Sequence, residues 1–134
     1  MPVEKDQLLA AISMARDARE CAYAPYSGFK VGAVVVGESG RVYAGCNVEN
    51  ASYGLTICAE RVAIYKAIYE GEATITAVVI VAGDTEPAPP CGACLQVISE
   101  FSSEDDPAII VTYALDGSYR TYKLCDLLPV PFSL

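Results

Sequence analysis

Three cysteines and one glutamate carry the strongest chemical signal in this sequence. Cys91-Gly92-Ala93-Cys94 is a Cys-x-x-Cys pair, and Cys58-Ala59-Glu60 places a third thiol two residues before a carboxylate. Cys-x-x-Cys spacing suits a tetrahedral zinc site and also a dithiol redox pair. Two unrelated buried thiols are the plainest alternative. Cys58 tilts the reading toward metal, because it stands where a predicted helix begins, as Cys91 and Cys94 do after Pro89-Pro90. A helix N-terminus presents unpaired amides and a partial positive charge, and both favour thiolate. The chain has no histidine, which removes the Ser-His-Asp triad, the Cys-His pair and every imidazole ligand. A catalytic zinc would then have three sulfur ligands and one open position for water. Glu60 becomes the acid–base candidate, since a carboxylate beside such a water can take its proton and deliver it to substrate and leaving group. The alternative is a first-turn glutamate that merely complements the helix dipole. Residues two apart on a regular helix do not face each other. Cys58 and Glu60 can therefore cooperate only if Cys58 sits at the very end of the helix. Three thiolates around a dication leave one net negative charge, which Arg61 is placed to offset.

These residues need elements to position them. Residues 4–22 read as an amphipathic helix, with Leu8, Ile12, Ala15 and Ala22 at roughly helical spacing. Residues 31–36 form a β-branched run, 37–40 a turn and 41–48 a returning strand, which together predict a hairpin. A second helix is predicted over 58–70, stopped by Gly71. Residues 74–82 read as a buried strand and 83–90 as a loop with three prolines. A third helix is predicted over 92–101 and a strand over 108–114. Asp116-Gly117 turns that strand into its partner at 118–123, and a short helix at 125–128 ends before Pro129. Strands alternating with helices through the middle imply parallel pairing there, with helices on both faces of one mixed sheet. The starts of the second and third helices can then converge at one sheet edge, bringing the three thiols together.

The bulk properties bound the setting. The 134 residues, 53% hydrophobic and 19% charged, predict one domain over 1–134 with a core that needs no disulfides. The charged share falls below the roughly 25% of an average soluble domain, as expected if some surface is covered in an oligomer. A net charge of −8 argues against nucleic acid and anionic membrane as partners. No apolar run approaches the roughly 18 residues of a membrane span. Met1-Pro2-Val3-Glu4-Lys5 is too polar for a signal peptide, so a cytoplasmic location is expected. The six cysteines are then free or metal-bound and form no disulfide framework.

Three segments together resemble the small zinc-dependent cytidine deaminases: 47–54 (Asn-Val-Glu-Asn-Ala-Ser-Tyr-Gly), 58–61 (Cys-Ala-Glu-Arg) and 90–94 (Pro-Cys-Gly-Ala-Cys). The resemblance runs from Tyr23-Ala24-Pro25-Tyr26-Ser27 to Leu127-Leu128-Pro129, nearly the whole chain. It implies an α/β fold, a three-layer α/β/α sandwich with one mixed five-stranded sheet. It also implies hydrolytic deamination of cytidine and deoxycytidine to uridine and deoxyuridine, with release of ammonia, in pyrimidine salvage. Carried over by position, Cys58, Cys91 and Cys94 would hold one Zn2+ per chain, and Glu60 would shuttle protons and meet N3 of the pyrimidine. Arg61 would hydrogen-bond the metal-bound sulfurs. Asn47 and Glu49 would hold the ribose hydroxyls, Phe29 would pack on the base, and Ala59 would contact the substrate. The family is usually homotetrameric, and Tyr53 and Phe132 stand where residues reach a neighbour's site.

Each position has a plainer reading. Phe29 could be a core aromatic, Tyr53 one of nine tyrosines, and Phe132 a C-terminal docking anchor. Asn47 and Glu49 could simply face solvent, although their alternation with Val48 puts both on one side, as a ribose would need. The chain departs from the family at Leu95, where arginine is common. Two other functions compete. One is a non-catalytic zinc module with four protein ligands, for which Cys46 is the nearest extra thiol. The other is the same chemistry on a different amino-heterocycle or a polynucleotide; the acidic charge opposes a polynucleotide.

Overall fold

A computed structural model describes residues 4–134. Met1, Pro2 and Val3, which belong to the polar N-terminus noted above, lie outside the described residues. Ten elements follow in order: α1 (Lys5–Glu20), β1 (Val31–Gly37), β2 (Val42–Cys46), a 3-10 turn (Tyr53–Leu55), α2 (Ala59–Tyr69), β3 (Ile75–Ala82), α3 (Gly92–Phe101), β4 (Ile109–Tyr113), β5 (Tyr119–Lys123) and α4 (Leu124–Leu127). The strands make one five-stranded sheet in the order β2-β1-β3-β4-β5. β3 and β4 run parallel, and the other pairs are antiparallel. The expected mixed sheet with a parallel centre is present. No helix among the described residues is long and apolar enough to cross a membrane.

The layers follow from residue type. β1 and β3 are central and covered on both sides, so they are nearly unbroken apolar runs, VGAVVVG and ITAVVIVA. On one face, Val34, Val79 and Val81 pack against Ala11 and Ala15 of α1. On the other, Ala33, Val35, Val78, Ile80 and Ile110 meet Ala63, Ile64 and Ala67 of α2 and Leu95 and Ile98 of α3. Leu95 is therefore a core residue, and its apolar side chain is what its position requires. Two glycines let the layers close. A Cβ on Gly32 would lie 1.9 Å from the Ala15 carbonyl oxygen, and one on Gly45 would lie 2.6 Å from the Ala63 nitrogen and 2.7 Å from the Ala59 oxygen. The second contact seats the first turn of α2, which carries Glu60, directly on β2.

Element edges differ from the sequence reading for local reasons. The first helix ends at Glu20, because the Cys21 amide turns back to the Ala18 carbonyl and the Tyr23 amide is taken by Asn47. The strand read over 41–48 stops at Cys46, beyond which Val48 makes isolated bridges to Tyr23 and Ile57. The 3-10 turn at Tyr53–Leu55 has no buried residue and hence no apolar periodicity to announce it.

The β1–β2 turn is locked to the end of α2 by a buried carboxylate. Glu72 accepts hydrogen bonds from Tyr43 Oη at 2.8 Å, from the Ser39 amide at 3.3 Å and from the Ser39 hydroxyl, with Arg41 Nε at 3.9 Å. Burial opposes its ionisation most, yet those donors and the Arg41 charge outweigh burial and hold the carboxyl below its usual range. A depressed folded pKa adds stability that is present above the unfolded value and is lost as pH falls through the folded one. Glu72→Gln is therefore expected to lower the thermal midpoint by about 5 °C at neutral pH. The gap to the parent should shrink in acid, and melts across pH check this; a pH-independent gap would contradict it.

Candidate metal centre and substrate cleft

The topology brings four chain segments to one edge of the sheet. The start of β1 lies beside the end of β3 (Val31 opposite Ala82) and beside the end of β2 (Gly32 opposite Cys46). Beyond β2, Val48 and Ile57 exchange backbone hydrogen bonds at 3.0 Å each, which folds the intervening residues out and delivers Cys58 to the head of α2. Beyond β3, the proline-rich loop delivers Cys91 to the head of α3. Sites in open α/β sheets form outside the carboxyl ends of the strands, and the ends of β2 and β3 are where these segments meet.

Cys58 and Cys91 are both N-caps with extended backbone (φ −73°, ψ 155° and φ −72°, ψ 166°). Cys58 therefore stands outside the helix, the condition under which it can share a site with Glu60 in the first turn. Cys94 lies one turn into α3 and is fully buried. The three Sγ atoms lie within 4.8 Å of one another, with 3.7 Å between Cys58 and Cys91. Sulfur ligands at about 2.3 Å from a tetrahedral zinc stand about 3.8 Å apart, so the donor set and its spacing fit that ion. Among the described residues no other group of this kind is present. Cys46 borders a separate hollow with Cys21 and Lys66, so it is not a fourth ligand.

Electrostatics prepare the thiols. The hydrogen bond from Cys94, then Arg61 and Cys91, push the Cys58 thiol down to about 5 against the opposing effect of burial. The same contact with Cys58, reinforced by burial and by Glu60, pushes Cys94 up. The shared contact thus favours thiolate at Cys58 over Cys94, and a bound dication would take all three sulfurs as thiolates. Arg61 donates from Nη2 to Cys58 Sγ at 3.4 Å, while its buried Nε has no hydrogen-bond partner. A buried guanidinium with an unpaired N–H is costly unless negative charge lies beside it, and the sulfur cluster supplies that charge.

Glu60 is 4% exposed. Burial pushes its carboxyl up, and the Cys58 charge does the same, while the Cys94 thiol and Arg61 act against them. Glu60, Ala59, Phe29, Asn47 and Glu49 line one cleft of about 310 Å³ that Cys58 and Cys91 also border. Asn47 Nδ2 donates to the Phe29 carbonyl at 2.8 Å, and its Oδ1 accepts from the Val31 amide at 2.9 Å. That leaves one N–H and one lone pair of the Asn47 amide for a ligand. Glu49 accepts from the Tyr26 and Ser27 amides at 3.0 and 3.1 Å and from the Ser27 hydroxyl. The Ser27 contacts lead in holding its carboxyl below the usual range.

Tyr53 and Phe132 stand apart from that cleft. Tyr53 is 78% exposed and packs edge-on against Tyr26, with ring centroids 6.3 Å apart, in an adjoining hollow that shares Ser27, Glu49 and Thr56. Phe132 is 71% exposed, and its carbonyl accepts from Gln96 Nε2 at 2.9 Å. Ser27, Thr56, Ala88 and Pro89 also line the cleft without having been singled out as site residues. Ser27 carries a readable signal, a serine two residues before an amide it can accept from, between Pro25 and Gly28. The other three carry none.

The family model described as "Cytidine and deoxycytidylate deaminase zinc-binding region" matches residues 5–110. The cytidine deaminase of Sporosarcina psychrophila is 43% identical over 99% of this chain and 93% of its own length. That of Halalkalibacterium halodurans is 45% identical over 91% of each. The crystal structure of cytidine deaminase from Burkholderia pseudomallei superposes with a TM-score of 0.85 at 45% identity, covering 92% of this chain and 98% of that one.

Proposed function

The chain belongs to the zinc-binding cytidine deaminase family, and from that premise we propose that it hydrolyses cytidine and deoxycytidine to uridine and deoxyuridine, releasing ammonia, with Glu60 as the proton carrier. The observation that carries the reading is the buried Glu60 carboxylate beside three converging thiols at one cleft. Zinc is the cofactor, one per chain, with Cys58, Cys91 and Cys94 as its ligands. When bound it polarises a water and lowers that water's pKa toward neutrality.

The chain's own residues do the rest. Glu60 takes one proton from the attacking water and passes it to N3 of the pyrimidine, then takes the remaining proton of that oxygen and gives it to the amino group, which leaves as ammonia as the C4 carbonyl forms. Its burial, which favours the protonated carboxyl, suits it to the delivering half of that cycle. Arg61 offsets the charge of the sulfur cluster through Cys58. Phe29 and Ala59 bound the base, and Asn47 and Glu49 hold the ribose hydroxyls. A non-catalytic zinc module is the weaker reading, because the cysteine cluster offers three donors and borders an open cleft. Incubation with a panel of amino-bearing nucleosides, read as ammonia release, tests the proposal. Release from cytidine and deoxycytidine is expected, and release from neither would refute it.

The matched family description names deoxycytidylate as well as cytidine, so nucleotide and nucleoside must be separated. The segment from Asn47 to Ile57 contains no lysine or arginine, and Glu49 lies at the cleft. An added phosphate would meet negative field without a partner. The expected kcat/KM for deoxycytidine 5′-monophosphate is at least about tenfold below that for deoxycytidine. Equal values would count against this assignment of the cleft.

Residues 1–134 are proposed to form one deaminase unit that assembles as a cytoplasmic homotetramer and serves pyrimidine salvage. The exposure of Tyr53 and Phe132 supports roles in a neighbouring chain's site. Sedimentation is expected to show a species near four times the chain mass of 14.2 kDa. A fully active monomer would exclude those roles.

A further inference from the structure

We propose that Ser27 is a positioning residue for the deamination: its hydroxyl ties the Glu49 carboxylate to the backbone of Phe29 and so fixes the Phe29 ring against the pyrimidine. The inference rests on the functional reading in one respect, that Phe29 is the wall on which the base packs.

Phe29 is 47% exposed and precedes β1 in the chain. Its ring therefore lacks the dense packing that would hold a core aromatic in place. Its backbone is gripped at both ends instead. The Phe29 amide donates to Ser27 Oγ at 3.0 Å, and its carbonyl accepts from Asn47 Nδ2 at 2.8 Å. Ser27 has a single hydroxyl proton, and that proton goes to Glu49. The relay thus runs from carboxylate to hydroxyl to amide, and each hydrogen bond orients the next. Glu49 is in turn held by the Tyr26 and Ser27 amides, bonds that its charge strengthens. Gly28 supplies the turn that allows this closure, with φ +69°. Ser27 itself is exposed, so its hydroxyl is not there to satisfy a buried core. What it organises is the segment that carries Phe29 into the cleft.

The expected signature is specific. A ring that packs on the base does so in the ground state and the transition state alike, so loosening it raises KM more than it lowers kcat. If the ring occupied its competent position about a tenth of the time, apparent affinity would fall about tenfold. The metal ligands and Glu60 are untouched by the change, so kcat should stay within about threefold.

The test uses the full-length zinc-loaded chain. Ser27→Ala is expected to raise KM for cytidine about tenfold with kcat within about threefold. Ser27→Thr, which keeps the hydroxyl, should bring KM back to within about threefold of the parent. A second readout needs no substrate. The chain contains no tryptophan, so Phe29→Trp creates a lone reporter at the ring position. Adding Ser27→Ala to it should lower the emission anisotropy, and adding Ser27→Thr should not. The proposal is overturned by an unchanged KM in Ser27→Ala, by an equal KM rise in Ser27→Thr, or by equal anisotropy in the three reporter chains. A parent chain that left cytidine intact would instead refute the functional reading, and the reporter comparison would still decide whether Ser27 holds position 29.

Discussion

Glu60→Gln is expected to keep its zinc and its fold and to lose deamination by about 10⁴-fold or more. General acid–base catalysis is worth about 10²–10⁴-fold for one group, and Glu60 is assigned several proton transfers in one turnover. Glutamine matches glutamate in size, so the buried pocket around a side chain 4% exposed stays filled. It cannot accept a proton from the attacking water or give one to the amino group. The three sulfurs lie within 4.8 Å of one another and Glu60 is not one of the ligands, so the metal is expected to stay. Glu60→Asp should also fail, because shortening the arm misplaces the carboxylate by about 1 Å, and such a shift can cost roughly 10²-fold. Zinc content, melting and deamination rate on the same preparations check this. Near-normal turnover by zinc-loaded Glu60→Gln would remove Glu60 from the mechanism.

Cys91→Ser is expected to lose both zinc and activity. Cys91 supplies its sulfur from the cap of α3, 3.7 Å from Cys58 Sγ. Serine keeps the cap, since a hydroxyl suits a helix N-terminus, but it offers zinc no thiolate. Loss of residues that merely orient a ligand costs about 10- to 100-fold in metal affinity, so loss of the ligand should cost more than about 100-fold. Cys125→Ser is the control. Cys125 is exposed on α4 and borders a different hollow with Ser99 and Pro129, so zinc and turnover should both persist. Full zinc occupancy in Cys91→Ser would sink the ligand assignment.

The metal half of the site was legible because its chemistry confines it to few residue types. Without histidine, cysteines at two helix starts narrow the choice of ligand, and both starts can be read from the local sequence, Cys58-Ala59-Glu60 and Pro89-Pro90 before Cys91. The fold was legible for a similar reason: β3 is too rich in Val and Ile for a helix of its length, and Asp116-Gly117 marks the hairpin between β4 and β5. The cleft walls were harder to read. The alternation of Asn47, Val48 and Glu49 places the two polar residues on one side, and both do line the cleft. It does not reveal that they also brace Phe29 and Ser27, because those contacts span about 20 residues of sequence and depend on the fold of the segment before β1. Past Cys46 the chain pairs instead through backbone bridges of Val48 to Tyr23 and Ile57, where strand propensity alone would carry the strand to Val48. Alternation is a property of one strand, whereas bracing belongs to two segments at once.

The most direct measurement of the central claim follows oxygen rather than rate. The zinc-loaded chain is supplied with cytidine in heavy-oxygen water, and the products are weighed by mass spectrometry while ammonia is counted. Hydrolytic deamination at this site predicts uridine carrying one heavy oxygen at C4, with one ammonia for each uridine formed. Recovery of cytidine unchanged, or ammonia released without heavy oxygen entering the base, would contradict the account.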